Sequence, residues 1–133
     1  MHDTLTPTRL RTVQALLQSY STLSADRILE HVSEDFKQEV LPTRIDKPVL
    51  DRASFGRHAT SMFALFDDFC MDPQTIYEDE GLSAIVVYVH ISGRLREDET
   101  RWRSECIMIV RLSGDGTKVV QLLEYVEKQR QRS

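Results

Sequence analysis

The sequence has few cysteines and none of the short motifs that announce a particular chemistry. Its 133 residues include two cysteines, Cys70 and Cys106, whose separation matches neither a metal site nor a disulfide framework. Both lie in apolar surroundings, so we expect free thiols that are buried as small hydrophobic side chains in a reducing compartment. No nucleophile elbow, phosphate-binding loop or metal-ligand spacing occurs. The sequence therefore predicts neither a bound metal nor a nucleotide site.

The sequence also lacks a strong excess of one charge sign and any long hydrophobic run. Lys and Arg number 17 and Asp and Glu 21, which gives a net charge of −4. Because the two signs are interspersed and form no basic stripe, nucleic acid is excluded as an expected partner. No apolar run is long enough to span a membrane, and residues 1–7 lack the pattern of a secretion signal. We expect a cytoplasmic protein with no membrane partner.

The chain has the length and composition of one globular domain. Hydrophobic residues make up 41% and charged residues 29% of the sequence, which suits a single domain over 1–133 with its own core. Residues 1–7 and 128–133 are expected to be flexible ends.

A hairpin near the end of the chain is the clearest structural signal. The apolar runs 102–112 and 118–126 flank Ser113-Gly114-Asp115-Gly116. Glycine and aspartate tolerate positive φ, so this tetrad predicts a tight turn between two long strands.

Upstream of this hairpin, helical and strand patterns are segregated along the chain. Helices are predicted from Pro7, from a cap at Ser24, and from a cap at Asp51 to about Phe69. Strands are predicted at 36–41, 75–78 and 82–91. The order helix, helix, strand, helix, then four strands predicts an α+β domain with helices on one face of an antiparallel sheet. Since strand 82–91 is apolar on both faces, we expect a homodimer through the other face of the sheet.

Four segments carry a resemblance to a known family. Leu16-Leu17-Gln18-Ser19-Tyr20, Glu34-Asp35-Phe36, and the hairpin segments 111–116 and 123–127 resemble the SnoaL-like polyketide cyclases of the nuclear-transport-factor-two-like superfamily, including short fungal forms from secondary-metabolite clusters. The resemblance covers about residues 8–127. It implies a cone, in which a curved antiparallel sheet and three helices from the N-terminal half enclose an apolar pocket.

The same resemblance suggests where a polar group would enter the cone. Tyr20 matches a tyrosine that ketosteroid-isomerase-like members carry near the end of the first helix. At the places where such members carry two acids, this sequence has Val40 and Met108, so it departs from their pattern.

Four residues are candidates for catalysis. His58, one turn after Phe55, would act as a base near neutral pH. Glu124 or Glu105 would be its partner or the proton donor, depending on the register of the hairpin. Tyr20 would stabilise developing negative charge. The alternative for each is a structural role: a core histidine, outward glutamates paired with arginines, and a core tyrosine. The expected pocket lining is Gln38, Phe55, Met62, His90, Trp102, Met108 and Leu122.

The predicted function is acid/base catalysis without a cofactor. The resemblance implies isomerisation, cyclisation or dehydration of a small hydrophobic polyketide- or terpenoid-like metabolite in secondary metabolism. Two alternatives remain open: a hydrolase or lactone-rearranging enzyme on the same fold, and a non-catalytic module that binds a ligand or a protein.

Overall fold

The computed structural model describes residues 7–41, 46–79, 81 and 84–125. The expected flexible ends lie outside these ranges, apart from Pro7. In chain order the elements are α1 (Pro7–Ser19), a 3-10 turn (Tyr20–Thr22), α2 (Ala25–Leu29), β1 (Val32–Leu41), β2 (Leu50–Asp51), α3 (Arg52–Phe63), β3 (Phe66–Asp79), β4 (Ala84–Leu95), β5 (Arg101–Leu112) and β6 (Val119–Tyr125).

The six strands form one sheet in the order β2-β1-β6-β5-β4-β3. Four neighbouring pairs are antiparallel, as predicted, whereas β1 and β6 run parallel. The sheet is therefore mixed. The parallel pair joins the first long strand to the last one, and it sets two distant parts of the chain side by side.

The helix starts follow their predicted caps. The Ser24 hydroxyl accepts a hydrogen bond from the Arg27 amide at the start of α2. The Asp51 carboxylate accepts one from the Ser54 amide at 2.9 Å, and the Ser54 side chain bonds back to Asp51. This reciprocal arrangement is a capping box, and it fixes the first turn of α3.

The predicted third helix was too long. The structure ends α3 at Phe63 and places Phe66 and Phe69 in β3, where their rings pack against Trp102. A register shift between Phe66 and Asp68 lets both phenylalanines face inward although they are three residues apart. The spacing of these two phenylalanines is also typical of a helix. Pairing along the whole of β4 nevertheless determines that this segment is a strand.

The hairpin between β5 and β6 forms as predicted. Gly116 has a φ of +76°. The Asp115 carboxylate accepts hydrogen bonds from the Ser113 hydroxyl and from the Thr117 amide and hydroxyl. These hydrogen bonds are made within the turn itself, so the connection between the two strands is compact.

The core lies between the helices and the inward face of the sheet. Side chains of β4 alternate as predicted: Ile85, Val87 and Val89 are fully buried, while Tyr88 and His90 face outward. At one end of the core, Arg9 of α1 forms an ion pair with Glu78 of β3, whose side chain is 1% exposed. No helix within the described ranges is long and apolar enough to cross a membrane.

Candidate functional site

Three polar side chains converge on the inward face of the sheet: Tyr20, Gln38 and Glu124. Tyr20 follows the last turn of α1 and is 4% exposed, and Gln38 in β1 is 5% exposed. Glu124 lies near the end of β6 and is hydrogen-bonded to Gln38. These are the polar groups that sequence parity and the family resemblance direct inward.

Glu124 is flanked on both sides by apolar residues. Across β1 it pairs with Val40, and across β5 it pairs with Met108, which is fully buried. These are the two positions at which the sequence departs from the ketosteroid-isomerase-like pattern. The Glu124 carboxyl therefore lies on β6 between these two positions, and it points to the same face of the sheet as their side chains.

Burial dominates the electrostatics of the site. Although the Glu124 residue as a whole is partly exposed, its carboxyl is desolvated, which raises the pKa, and the hydrogen bond with Gln38 lowers the pKa only in part. Burial also raises the pKa of the Tyr20 hydroxyl well above its usual value, and the nearby charge of Glu124 raises it further. Tyr20 is therefore a permanent hydrogen-bond donor, and Glu124 is a carboxyl that binds a proton more tightly than an exposed glutamate.

Cys106 adds a fourth polar group beside Glu124. Burial and the charge of Glu124 raise the pKa of its thiol to about 12. The thiol is consequently neutral and does not act as a thiolate nucleophile. The expectation of burial holds for Cys106 and is wrong for Cys70, which is exposed on the outer face of edge strand β3.

Aromatic rings surround the end of α1. The Tyr20 ring lies 6.1 Å from that of Phe63 and 6.2 Å from that of Phe69, and the Phe66 ring lies 5.5 Å from Trp102. Farther along the core, the rings of Phe36 and Phe55 are 4.8 Å apart. The interior is thus an apolar, aromatic environment that offers few hydrogen bonds.

His58 does not join this group. It is exposed on α3, whose buried residues are Phe55, Gly56, Ala59 and Phe63. The buried face is centred on the side of Ala59, so His58 lies on the flank of the helix. The expectation that it enters the pocket is wrong, because a one-turn spacing from Phe55 does not determine on which side of Phe55 the core lies.

Glu105 and His90 come together on the outer face of the sheet. They are directly paired across β4 and β5, and both are exposed. The Tyr88 hydroxyl donates a hydrogen bond to Glu105, and His90 Nε2 lies 3.1 Å from that hydroxyl. The expectations that Glu105 and His90 face the pocket are therefore wrong. Since β5 and β6 pair Met108 with Glu124, side-chain alternation directs Glu105 outward.

The other expected lining residues face the core. Phe55, Met108 and Leu122 are buried, and Met62 and Trp102 are partly buried against the main hydrophobic cluster. The hydrogen bond between Gln38 and Glu124 was not expected, since no local pattern predicts that β1 and β6 are parallel neighbours. Within the described ranges, no three His, Cys, Asp or Glu side chains gather as a metal site requires.

Comparison with known proteins begins with sequence. No family model matches the chain. A curated relative, the Core atranone cluster (CAC) protein 11 of Stachybotrys chlorohalonatus (strain IBT 40285), is 19% identical over 119 residues. The match covers 90% of this chain and 87% of that protein.

Solved structures show the fold. AusH from Aspergillus nidulans superposes with a TM-score of 0.87 at 15% identity, covering 96% of this chain and 89% of that one. The BvnE pinacolase from Penicillium brevicompactum superposes with a TM-score of 0.85 at 13% identity, covering 96% and 88%. Other matches are described as having a ketosteroid isomerase-like fold or as NTF2-like. The cone fold that the resemblance implied is confirmed.

Proposed function

We propose that this protein is a cofactor-independent acid/base enzyme that isomerises, cyclises or dehydrates a small hydrophobic metabolite. One observation carries the proposal: the Glu124 carboxyl is desolvated inside an apolar core beside the Tyr20 hydroxyl. A group that binds its proton more tightly than usual is suited to exchange protons near neutral pH. Glu124 therefore takes the role that the sequence alone suggested for His58.

The reaction that fits is proton transfer next to a carbonyl group. Glu124, when ionised, removes a proton from the carbon beside the carbonyl, and the electron pair of that C–H bond moves toward the carbonyl oxygen. Tyr20 donates a hydrogen bond to the oxygen as negative charge develops there. The protonated Glu124, whose proton can exchange with solvent, then protonates another carbon, which gives an isomer. In a dehydration, the proton would go to a departing hydroxyl.

The comparisons support an enzyme of secondary metabolism. A pinacolase has the same fold, and a curated relative is named for an atranone cluster. Substrates of polyketide or terpenoid type suit an interior with aromatic walls and few polar groups. We infer a cytoplasmic location, which the free thiol of exposed Cys70 supports.

The test uses a panel of polyketide and terpenoid carbonyl compounds in D2O, with deuterium incorporation and rearranged products followed by mass spectrometry. Glu124→Gln is expected to lower turnover by at least about 100-fold, because the proton carrier is lost. Tyr20→Phe is expected to lower it by about 10-fold or more. His58→Ala is the control and keeps full activity, since His58 is exposed.

Full activity in Glu124→Gln would refute this assignment. Products that carry oxygen from 18O-labelled water would identify the alternative, a hydrolase or lactone-rearranging enzyme in which the same carboxyl activates water. A compound that binds without any exchange or product, with equal affinity in Glu124→Gln, would identify a non-catalytic binding module.

We also propose that two copies pair through the outer face of the sheet. Two cross-strand rows there are apolar: Tyr77, Val86, Ile109 and Leu123, and beside them Tyr88, Ile107 and Tyr125. Tyr77 is 64% exposed, Ile107 42% and Tyr125 45%. On β5, Glu105 and Arg111 flank this apolar band on opposite sides. A two-fold axis that runs between the two sheets and across their strands would set the Glu105 side of one copy opposite the Arg111 side of the other, so that charges of unlike sign face each other.

A further inference from the structure

The parallel seam between β1 and β6 brings Gln38 next to Glu124. Gln38 pairs with Leu122, and Val40 pairs with Glu124. Gln38 and Glu124 therefore point to the same inward side, two residues apart along the seam. Gln38 is 5% exposed and its side chain is hydrogen-bonded to the Glu124 carboxyl. A buried amide among apolar side chains has few hydrogen-bond partners. Whether Gln38 donates to the carboxyl or accepts from it therefore determines where the Glu124 proton resides.

A glutamine can make either of two bonds to a carboxyl group. Its N–H can donate to a carboxyl oxygen, or its carbonyl oxygen can accept the proton of a neutral acid. In the first arrangement the bonded oxygen remains an acceptor in both protonation states, so the acid proton resides on the other oxygen. In the second arrangement the proton is held by Gln38 and cannot be delivered to a substrate.

We propose that Gln38 is a positioning residue: its amide N–H holds one oxygen of Glu124 against β1 and leaves the other oxygen to carry the exchangeable proton. The meaning of this for catalysis rests on the function proposed above for Glu124. Two features support the donating arrangement. The buried carboxylate needs a donor to offset its burial, and the paired neighbours Val40 and Met108 have no polar side-chain atoms able to donate.

The first experiment is a titration that needs no substrate. Protein labelled with 13C at the glutamate carboxyls is followed by NMR, and Glu124→Gln identifies the Glu124 signal. Gln38→Met keeps the length of the side chain but removes the donor. We expect the titration midpoint of Glu124 to rise by about one pH unit, which corresponds to the loss of one hydrogen bond to a charged group. Glu39→Gln, on the opposite face of the same strand, is the matched control and leaves the midpoint in place.

The two arrangements predict opposite signs. If Gln38 accepted the proton of the neutral acid, Gln38→Met would lower the midpoint of Glu124; a lower or unchanged midpoint overturns the proposal. Should Gln38→Met fail to fold, the wild-type protein provides the answer. One side-chain N–H proton of Gln38 should move downfield with the midpoint of Glu124, and an N–H that does not follow the titration overturns the proposal equally.

Once a substrate is found, a second readout separates positioning from packing. Gln38→Met should displace the pH profile of kcat/KM, which reports the free enzyme, toward higher pH by the same amount as the carboxyl midpoint. A merely structural effect would lower activity at every pH without moving the profile. The titration remains valid even if Glu124→Gln proves fully active, so failure of this proposal and failure of the proposed function are distinguishable.

Discussion

Glu124 illustrates how one residue on an apolar wall links pH to stability. Its pKa is raised in the folded protein by desolvation. Between the ordinary glutamate pKa and the raised one, the folded chain binds more protons than the unfolded chain does. The free energy of unfolding therefore decreases as pH rises through this window. The ionised carboxyl destabilises the folded protein most above the raised pKa.

Glu124→Gln should remove this pH dependence while it preserves the shape of the side chain and an oxygen for the Gln38 amide. We expect the variant and the wild type to melt at similar temperatures near pH 4, and the variant to melt at the higher temperature near pH 8. Thermal unfolding followed by circular dichroism from pH 4 to 8 measures the difference. Glu34→Gln, an exposed carboxyl on β1, serves as the control and should show no such divergence. A constant difference between wild type and Glu124→Gln across this range would contradict the account.

At the scale of elements, β3 and β4 approach each other closely at Gly93. Gly93 of β4 lies opposite Phe69 of β3. A Cβ atom added at Gly93 would lie 2.7 Å from the Phe66 ring and 2.8 Å from the backbone oxygen of Asp68. Because that oxygen belongs to the neighbouring strand, it cannot move aside without displacing β3. The strand pair thus needs glycine for close approach rather than for conformational freedom.

Gly93→Ala is accordingly expected to destabilise the protein by about 2 kcal/mol, as an overpacked core position does. Urea unfolding followed by tryptophan fluorescence would measure the change, since Trp102 packs on Phe66. Gly114→Ala provides the comparison: an added Cβ there meets nothing within 4 Å, and its effect should remain within about 0.5 kcal/mol. Equal stability of the two variants would show that β3 adjusts freely.

For the whole molecule, the outer face of the sheet is where we propose that two copies pair. The cross-strand row Tyr88, Ile107 and Tyr125 would lie near the centre of the proposed interface. The Tyr88 hydroxyl already bonds Glu105 within one copy, and this bond raises the pKa of Tyr88. These two polar groups at the edge of the band are therefore hydrogen-bonded within one copy, which lowers the free-energy cost of burying them in a dimer.

Ile107→Lys should separate the two copies, because a lysine would be buried in an apolar contact without a partner. We expect wild-type protein at tens of micromolar to have the mass of a dimer in sedimentation velocity. The variant should dissociate with a Kd raised by about 30-fold or more, with its circular dichroism unchanged. Leu65→Lys, 59% exposed in the turn after α3, should remain dimeric. A monomeric wild type would refute pairing through this face.

Local patterns in the sequence were sufficient for much of this fold. The caps at Ser24 and Asp51, the turn at Gly114–Gly116, and the alternation along β4 each depend on residues within a few positions of one another. Such signals act through backbone conformation and side-chain direction, which are local properties. Alternation indicated that one of Gln38 and Glu39 faces inward, Gln38 was named as the lining residue, and resemblance contributed the expectation for Tyr20 and the cone.

The tertiary structure alone decided which of the candidate residues meet. His58 has a helical spacing that suits a pocket, yet it is exposed because packing placed the buried face on its other side. Phe66 and Phe69 have the spacing of a helix, yet pairing with β4 makes them part of a strand. The parallel contact of β1 with β6 connects residues more than eighty positions apart and brings Gln38 to Glu124. Such non-local pairing depends on the free energy of the assembled sheet, and no short stretch of sequence encodes it.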